Sequence, residues 1–176
     1  MFQGVVMRAD AQRNRDRILA AAQDVFAEHG AAASTEEVAR RAGVAIGTVF
    51  RHFPTKPDLL AAIMKARLAE ITARAEELTG DPAGGLFAFF DELAEIAAAT
   101  RTVVELLGMD VADPVASLGG AVLPLLDNAK RAGTVRDDVR LDEVVALLVA
   151  VCRGGWDADL RERTLRIVFA GLRGHQ

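Results

Sequence analysis

Apolar residues recur every three or four positions along most of this chain, which is the spacing of one face of an α-helix. A long stretch over residues 56–79 would span about 36 Å as a helix at 1.5 Å per residue. Glycine and proline cluster between the periodic stretches. The pattern therefore predicts an all-α protein. The first periodic stretch covers residues 8–30, and its apolar positions are Ile18, Leu19, Ala22, Val25 and Phe26.

Residues 34–56 have the pattern of two short helices joined by a tight turn. Ser34 is a typical helix N-cap, and Glu37 lies three residues on, where a capping-box carboxylate belongs. Gly43 would end the first helix, because glycine adopts the left-handed conformation without steric cost. Pro54 would end the second, because proline disfavours helical geometry at the residue before it. The stretch therefore predicts a helix-turn-helix.

The second of these helices, beginning near Ala45, has a composition that favours DNA contact. Val49 and Phe53 are four residues apart and share the face that would pack inward. A small Gly47 allows close approach to a duplex, and Arg51 can reach a base edge or a phosphate. The alternative is an ordinary pair of surface helices with a few cations. The side chains that can donate to phosphates are Thr48, His52 and Lys56.

Residues 13–64 resemble the DNA-binding domain of the TetR family of transcriptional repressors. The resemblance rests on the blocks RNRDRILAAAQDVFAEHG and EEVARRAGVAIGTVFRHFPTKPDLL, and on the core A-G-V-x-x-G-T-x-aromatic-x-H-F. It implies a three-helix DNA-binding domain over residues 8–55. A long helix would join this domain to a C-terminal ligand-binding and dimerisation bundle over residues 56–176. The DNA-binding residues implied are Ser34, Thr35, Ile46, Gly47, Thr48, Phe50, Arg51, His52 and Lys56.

Two positions depart from the family pattern. Phe50 stands where the family usually has a tyrosine, so this chain lacks a hydroxyl that commonly contacts a phosphate. The Phe50 ring is left with packing or with apolar contact to a thymine methyl. Ala45 stands where a serine often begins the recognition helix, so a side-chain cap typically worth about 1 kcal/mol is missing. Neither change threatens the predicted fold.

The charge is unevenly distributed along the 176 residues. The formal net charge is −4, which does not by itself indicate nucleic-acid binding. Residues 1–56, however, hold eight basic and six acidic side chains, whereas residues 57–176 hold 13 basic and 19 acidic ones. A mildly basic N-terminal part joined to an acidic remainder is consistent with a small DNA-binding surface in the N-terminal part.

Further helix starts are predicted in the C-terminal part from capping patterns. The last two helices are expected at residues 142–153 and 157–172, and Pro124 should kink or split the helix before them near Leu123. Gly133 should close that helix. The predicted starts of the earlier helices are Asp81-Pro82, Thr102–Glu105 and Asp113-Pro114.

The last two helices carry more apolar surface than a small bundle needs, with Leu160 and Ile167 among its members. We expect part of this surface to form an isologous homodimer contact. The alternative is that all of it is intramolecular core. The residues assigned to the dimer contact are Val144, Val145, Leu148, Val151, Leu165, Val168 and Leu172.

By the family resemblance, the helices between residues 81 and 156 would enclose a mostly apolar effector pocket. The effector itself cannot be identified from the sequence, and an apolar or aromatic small molecule is expected. The alternative for each predicted lining residue is that it belongs to the ordinary hydrophobic core and contacts no ligand. Glu105, Asp110 and Arg153 are the charged residues to examine, since a buried charge needs a partner or a ligand. The predicted lining residues are Phe87, Phe90, Leu93, Leu106, Met109, Leu126 and Trp156.

Other functional classes are disfavoured by the inventory of side chains. The histidines, at positions 29, 52 and 175, lack metal-ligand spacing, and Ser34 and Ser117 lie in no nucleophile motif. Neither a catalytic site, a metal nor a cofactor is therefore expected. Cys152 is predicted to be a small, buried apolar residue. No apolar run reaches the roughly 18 residues of a membrane span, and we expect a cytoplasmic protein.

The sequence thus predicts a homodimeric, ligand-responsive repressor that binds a pseudo-palindromic double-stranded DNA operator. Two alternatives remain open. In one, the C-terminal part binds a protein partner instead of a small molecule. In the other, the chain is a small-molecule binder that has lost DNA recognition, for which Phe50 and the acidic Glu36 are slight support.

Overall fold

The computed structural model describes residues 3–154 and 157–173, with side chains described from Asp10 onward. These residues form α-helices and one 3₁₀ turn at Gly30–Ala32, without a β-strand, which confirms the all-α prediction. The helices are α1 (Gln3–His29), α2 (Thr35–Ala42), α3 (Ile46–His52), α4 (Lys56–Leu78), α5 (Gly85–Leu106), α6 (Ala112–Ala116), α7 (Gly119–Arg131), α8 (Leu141–Arg153) and α9 (Ala158–Leu172).

The chain divides into two compact units. The first runs to Ala66 and includes Thr100–Gly108, and the second comprises residues 67–99 and the chain from Met109 onward. The division falls inside α4, whereas the sequence prediction begins the second domain at Lys56. The functional domain boundary therefore remains a proposal.

The first unit is built on an apolar core contributed by α1, α2, α3 and the first half of α4. Burying one such side chain contributes about 1.5–3 kcal/mol relative to leaving it exposed. This core therefore holds short helices that could not persist alone. Its buried members are Ile18, Ala22, Val25, Phe26, Val38, Val49, Phe53, Leu59 and Ile63.

Helix starts follow the local signals where a cap and a carboxylate occur together. Thr55 and Asp58 form a reciprocal box at the start of α4: the Asp58 amide donates to Thr55 Oγ1 at 3.2 Å, and the Thr55 amide donates to Asp58 Oδ2 at 3.0 Å. Asp157 caps α9 by accepting from the Leu160 amide at 2.9 Å. These contacts satisfy amides that have no intrahelical partner.

The second unit has its own core, in which α5 is the central contributor. Phe90 is fully buried, and its ring meets the edge of Phe169 with centroids 5.8 Å apart; Phe87 meets the same ring at 5.0 Å. Polar contacts tie the connections to this core. The Asn128 side-chain amide donates to the Thr79 carbonyl at 3.0 Å.

Two predicted helix starts around α5 are wrong. Thr102–Glu105 does not begin a new helix, because no glycine or proline interrupts α5 before Leu106 and the buried Val103 and Val104 continue its packed face. Asp81 caps a turn instead of the helix itself. Its Oδ1 accepts from the Ala83 and Gly84 amides at 3.2 and 3.0 Å, and α5 begins afterwards.

The predicted break near Leu123 lies elsewhere. Helix α6 begins before Asp113, where Asp110 accepts from the Ala112 amide at 2.9 Å. The helices then separate at Ser117 and Leu118, while Pro124 lies inside α7. Helix α7 continues through Pro124, in its second turn, because Val122, Leu125 and Leu126 keep this helix packed in the core of the second unit.

Membrane insertion of a helix finds no support in the described part of the chain. None of its helices is long and apolar enough to span a bilayer.

Cys152 is buried in the second unit, as predicted, and desolvation raises the pKa of its thiol to about 12. Because the thiolate is the reactive form, we expect no labelling by a thiol reagent in the native protein and rapid labelling on unfolding. Thiol titration with and without denaturant would measure this. Stoichiometric labelling of native protein at neutral pH would contradict the burial.

Candidate nucleic-acid interface

Helix α2 begins at the predicted cap. Ser34 has extended backbone geometry, and its Oγ accepts from the Glu37 amide at 3.1 Å. Only half of the predicted capping box forms, because the Glu37 carboxylate is turned toward Arg40, whose Nε donates to it at 3.0 Å. Ser34 therefore has a structural role that holds whether or not its side chain also reaches a phosphate.

The turn between α2 and α3 requires glycine. Gly43 has φ of 64° and ψ of 40°, the left-handed conformation, and its amide donates to the Arg40 carbonyl at 3.2 Å. The Val44 amide donates to the Ala39 carbonyl at 3.0 Å, which closes the end of α2. A Cβ at Gly43 would also lie 2.8 Å from the Arg17 guanidinium.

Helix α3 is oriented by one inward-facing pair. Val49 is fully buried and Phe53 nearly so, four residues apart on the same side. The Arg15 guanidinium lies 5.4 Å from the centroid of the Phe53 ring. As expected, no side chain caps α3 at Ala45, although the Thr48 amide donates to the Ala45 carbonyl at 2.8 Å.

The opposite face of α3 presents an uncommon combination to solvent. Ile46 is 37% exposed and Phe50 is 44% exposed, although both are large apolar side chains. Gly47 lies on the same face, and a Cβ there would meet nothing within 4 Å. Arg51 is exposed and forms no ion pair with the residues that the structure describes. Apolar side chains beside a guanidinium are a combination that can contact base edges.

The other predicted contacts lie around this face. Thr48 and His52 are half-buried on α3, and the His52 ring is tilted by 44° to Phe53 at a centroid distance of 6.2 Å. Thr35 is the half-buried first residue of α2, next to its exposed cap Ser34. Their phosphate contacts remain predictions.

Three arginines elsewhere in the first unit are held by carboxylates. Arg41 makes a two-pronged contact with Glu28, at 2.6 and 2.8 Å, which ties α2 to α1. The hydrogen bond from Arg41 lowers the pKa of Glu28, and the one from Arg40 lowers the pKa of Glu37. Arg13 pairs with Asp10. The contact between Arg41 and Glu28 could not be predicted from the sequence, because it joins residues 13 positions apart in the chain.

Lys56 is also engaged within the first unit. Its Nζ donates to the carbonyl of Ala33 at 2.9 Å and to that of Ala31 at 3.2 Å. The same nitrogen lies 5.3 Å from the centroid of the Phe26 ring. The sequence placed Lys56 among the phosphate contacts and gave no signal for these partners, which lie more than twenty residues away along the chain.

Two family models match this chain. The model for bacterial regulatory proteins of the tetR family matches residues 18–63. The model for the C-terminal domain of SbtR-like transcriptional regulators matches residues 81–174. The HTH-type transcriptional repressor AcnR of Corynebacterium diphtheriae is 30% identical over 197 aligned positions, which cover 98% of each chain.

Solved structures of similar sequence share the architecture. A TetR transcription regulatory protein from Mycobacterium vanbaalenii gives a TM-score of 0.80 at 39% identity, over 96% of this chain and 99% of that one. The chain belongs to the TetR family. A second TetR regulator, from Streptomyces coelicolor, gives 0.77 at 32% identity, over 92% and 99%. A TetR-family chain is a DNA-binding transcriptional regulator and not an enzyme.

The effector-binding residues predicted for this TetR-family chain differ in burial. Phe90, Leu93 and Leu126 are buried in the core of the second unit, whereas Leu106 is half-buried in the first. Met109 is exposed, and its place in an effector pocket stays a prediction. Trp156 lies outside the described residues.

Phe87 is the predicted effector residue that lines an open cleft. The cleft has a volume of about 660 Å³ and includes Asp81, Thr134 and Arg173. The Arg173 guanidinium lies 5.2 Å from the centroid of the Phe87 ring. Polar groups at the rim make this cleft less apolar than the pocket the sequence predicted.

The three charged residues that would need a partner or a ligand if they were buried all lie on the surface. Glu105, Asp110 and Arg153 are exposed, and Arg153 pairs with Asp110. The pKa of Asp110 is lowered by the Ala112 amide and then by Arg153. None of these three residues is therefore a buried charge awaiting a ligand.

The predicted dimer residues need correction. Most of them are buried in the core of their own chain and leave no surface for a partner; only Val145 and Val168 are half-buried. The apolar surface of these helices lies on other side chains. Ile167 is 74% exposed and faces a shallow groove of about 620 Å³ with Leu147. The buried residues are Val144, Leu148, Val151, Leu165 and Leu172.

A pair of glycine substitutions separates folding from DNA contact. Gly43→Ala should lower the free energy of unfolding by about 1–2 kcal/mol, because alanine is strained in the left-handed region. Gly47→Ala should leave stability unchanged or raise it by up to about 1 kcal/mol, since alanine favours a helix. Thermal or urea unfolding of both variants measures this.

The same pair also tests the interface. Folded Gly47→Ala should bind DNA more weakly, because its new methyl group points out from the α3 face. Unchanged DNA affinity for Gly47→Ala would remove that position from the contact surface, and a stable Gly43→Ala would contradict the turn geometry.

Proposed function

We propose that this protein is a homodimeric repressor that inserts one α3 from each subunit into the major groove at half-sites of a pseudo-palindrome. A small molecule that binds the C-terminal part would release it. The observation that carries the proposal is the outward face of α3, on which Ile46, Gly47, Phe50 and Arg51 are exposed together. Binding to a DNA operator implies a cytoplasmic location.

The α3 face supplies two kinds of base readout. The Arg51 guanidinium can donate two hydrogen bonds to the O6 and N7 atoms of a guanine. Phe50 and Ile46 can contact thymine methyl groups, which lie in the same groove. Gly47 lets the helix backbone approach the bases. Ser34, Thr35, Thr48 and His52 are proposed to position the helix through neighbouring phosphates.

Repression is favoured by the whole-length similarity to a protein named a transcriptional repressor. Such a repressor occupies DNA near the promoter that it controls. Its release requires a signal that lowers its affinity for that DNA. A coupling of 1–3 kcal/mol between effector and DNA, about 5–150-fold in affinity, is typical of such switches.

The proposed effector carries a hydrogen-bond acceptor as well as apolar surface. Arg67 lies on the buried row of α4, four residues from Ile63 and from Ile71. One end of its guanidinium pairs with Glu70 at 2.8 Å, while its Nε is buried without a partner within the described part of the chain. A buried donor of this kind favours a partner that arrives with a ligand.

The homodimer is proposed to form through the exposed apolar side chains of α8 and α9. Ile167 is largely exposed, and Leu147 and Val168 are half-buried beside it. Ala146 and Gly171 line the same groove and would allow two helix pairs to approach closely. An exposed apolar surface of this kind is typical of a protein contact.

The direct experiment is binding of purified protein to labelled DNA from its own upstream region, across a salt series. The proposal expects tight binding that falls with salt and that specific competitor removes but random competitor does not. Equal binding to random DNA would contradict the regulator and leave the family fold intact.

Arg51→Ala should weaken binding by about 1–3 kcal/mol and relax the preference at one base pair of each half-site. A base-contacting guanidinium has this effect because its hydrogen bonds distinguish guanine from the other bases. Competition with a set of single-base operator variants measures the preference. If all sequences weaken equally and the salt slope falls by about 1, Arg51 contacts a phosphate instead.

Ile167→Asp should convert the dimer to a monomer, because a charge at the centre of an apolar contact is not solvated there. DNA affinity should fall by about 10²–10⁴-fold, the gain that a linked second half-site supplies. Light scattering gives the mass and fluorescence anisotropy the affinity.

Leu123→Asp is the matched control, since Leu123 is an apolar side chain of α7 with 43% exposure. It should leave both the mass and the affinity unchanged. A dimer that survives Ile167→Asp would contradict this interface, and a monomeric parent protein would make the groove a site for another protein.

A further inference from the structure

Lys56 makes contacts that a phosphate-binding lysine does not need. Its Nζ donates to two backbone carbonyls, those of Ala31 and Ala33, at 3.2 and 2.9 Å. The nitrogen also lies over the Phe26 ring at 5.3 Å from the centroid, a distance at which an ammonium is attracted to the ring face. The side chain is half-buried. Three separate groups of the first unit therefore surround this one cation.

The electrostatics of the two helices explain why the lysine lies there. Lys56 is the first residue of α4, where a positive charge opposes the helix dipole. Ala31 and Ala33, by contrast, follow the end of α1, where carbonyls lack helical partners and a cation is favoured. The position of Lys56 is unfavourable for its own helix and favourable for the end of another.

The segment that Lys56 holds determines where α2 begins. Ala33 is buried, its amide donates to the Gly30 carbonyl at 3.1 Å, and Ser34, the cap of α2, follows directly. A displacement of this connection would move Ser34 and Thr35 together with the start of α2. Because α2 packs against α3 in the helix-turn-helix, the connection affects how the whole motif is presented.

We infer that Lys56 is a positioning residue, which fixes the connection between α1 and α2 through the Ala31 and Ala33 carbonyls and does not contact DNA phosphate. The inference refines the proposed DNA-binding function, but its first test needs no DNA. The competing assignment, a phosphate contact made by the third N–H of the ammonium group, is an outcome of the second test.

The first test is amide hydrogen exchange of the free protein. Lys56→Met removes both carbonyl contacts, so peptides spanning residues 27–37 should exchange faster, by about tenfold for the Ala33 amide, as expected for loss of one charged hydrogen bond. Lys56→Arg should restore protection, because a guanidinium can donate to both carbonyls. Peptides from α7 should be unaffected.

Lys65→Met is the matched control, since it removes an exposed lysine from the same helix. It should change no exchange rate in residues 27–37. Lys56→Gln is used alongside Lys56→Met, and it serves alone if the methionine variant does not fold. Unaltered exchange in the folded Lys56 variant overturns the inference.

The second test is the salt dependence of DNA binding. The inference predicts that Lys56→Met weakens binding to every sequence while the slope of log affinity against log salt stays at the parent value. A slope reduced by about 1 marks a lost phosphate contact and overturns the inference. Should the parent protein bind no DNA, the proposed function fails, and the exchange experiment still decides the role of Lys56.

Discussion

Burial of Val49 and Phe53 is the interaction on which the DNA-binding surface depends. Helix α3 has only seven residues and no side-chain cap, and isolated helices shorter than about 12–15 residues are marginal in water. Packing of this pair into the core of the first unit therefore supplies most of its stability. The same packing fixes the rotation of the helix, so that Ile46, Phe50 and Arg51 face outward.

The placement of cations shows how such a surface can exist on an acidic protein. Arg40 and Arg41 are held by Glu37 and Glu28, and Lys56 is held by backbone carbonyls. These charges organise the first unit, so counting them as phosphate contacts overstates its electrostatic attraction to DNA. Arg51, in contrast, has no ion-pair partner within the described residues. On the outward face of α3, recognition would then rest on the Arg51 guanidinium and on apolar contacts.

The ends of the short α2 helix were predicted well from residues that are close together in the sequence. Ser34 and Gly43 predicted helix ends correctly, because a cap is decided by residues within one turn of each other. A pattern such as Thr102–Glu105 was misleading, because a capping box can form only where the helix is already interrupted. The chain from Gly85 to Leu106 contains no such interruption.

Long-range packing could not be predicted from the sequence. Broad Val- and Leu-rich faces on α8 and α9 do not reveal which side packs inward, so the pattern assigns the buried Val144 and Leu148 to the dimer contact and omits the exposed Ile167. The Lys56 contacts have the same origin, since they join residues far apart in sequence. The core helices and the recognition helix were therefore predictable, whereas the choice between interior and interface was not.

The central claim is that the outward face of α3 reads base edges in the major groove. Methylation interference on the bound upstream DNA tests it most directly, because methylation of guanine N7 blocks the major groove and methylation of adenine N3 blocks the minor groove. The account predicts interference at guanine N7 in two half-sites related by the pseudo-palindrome. Interference confined to adenine N3, or none on a tightly bound fragment, would contradict it.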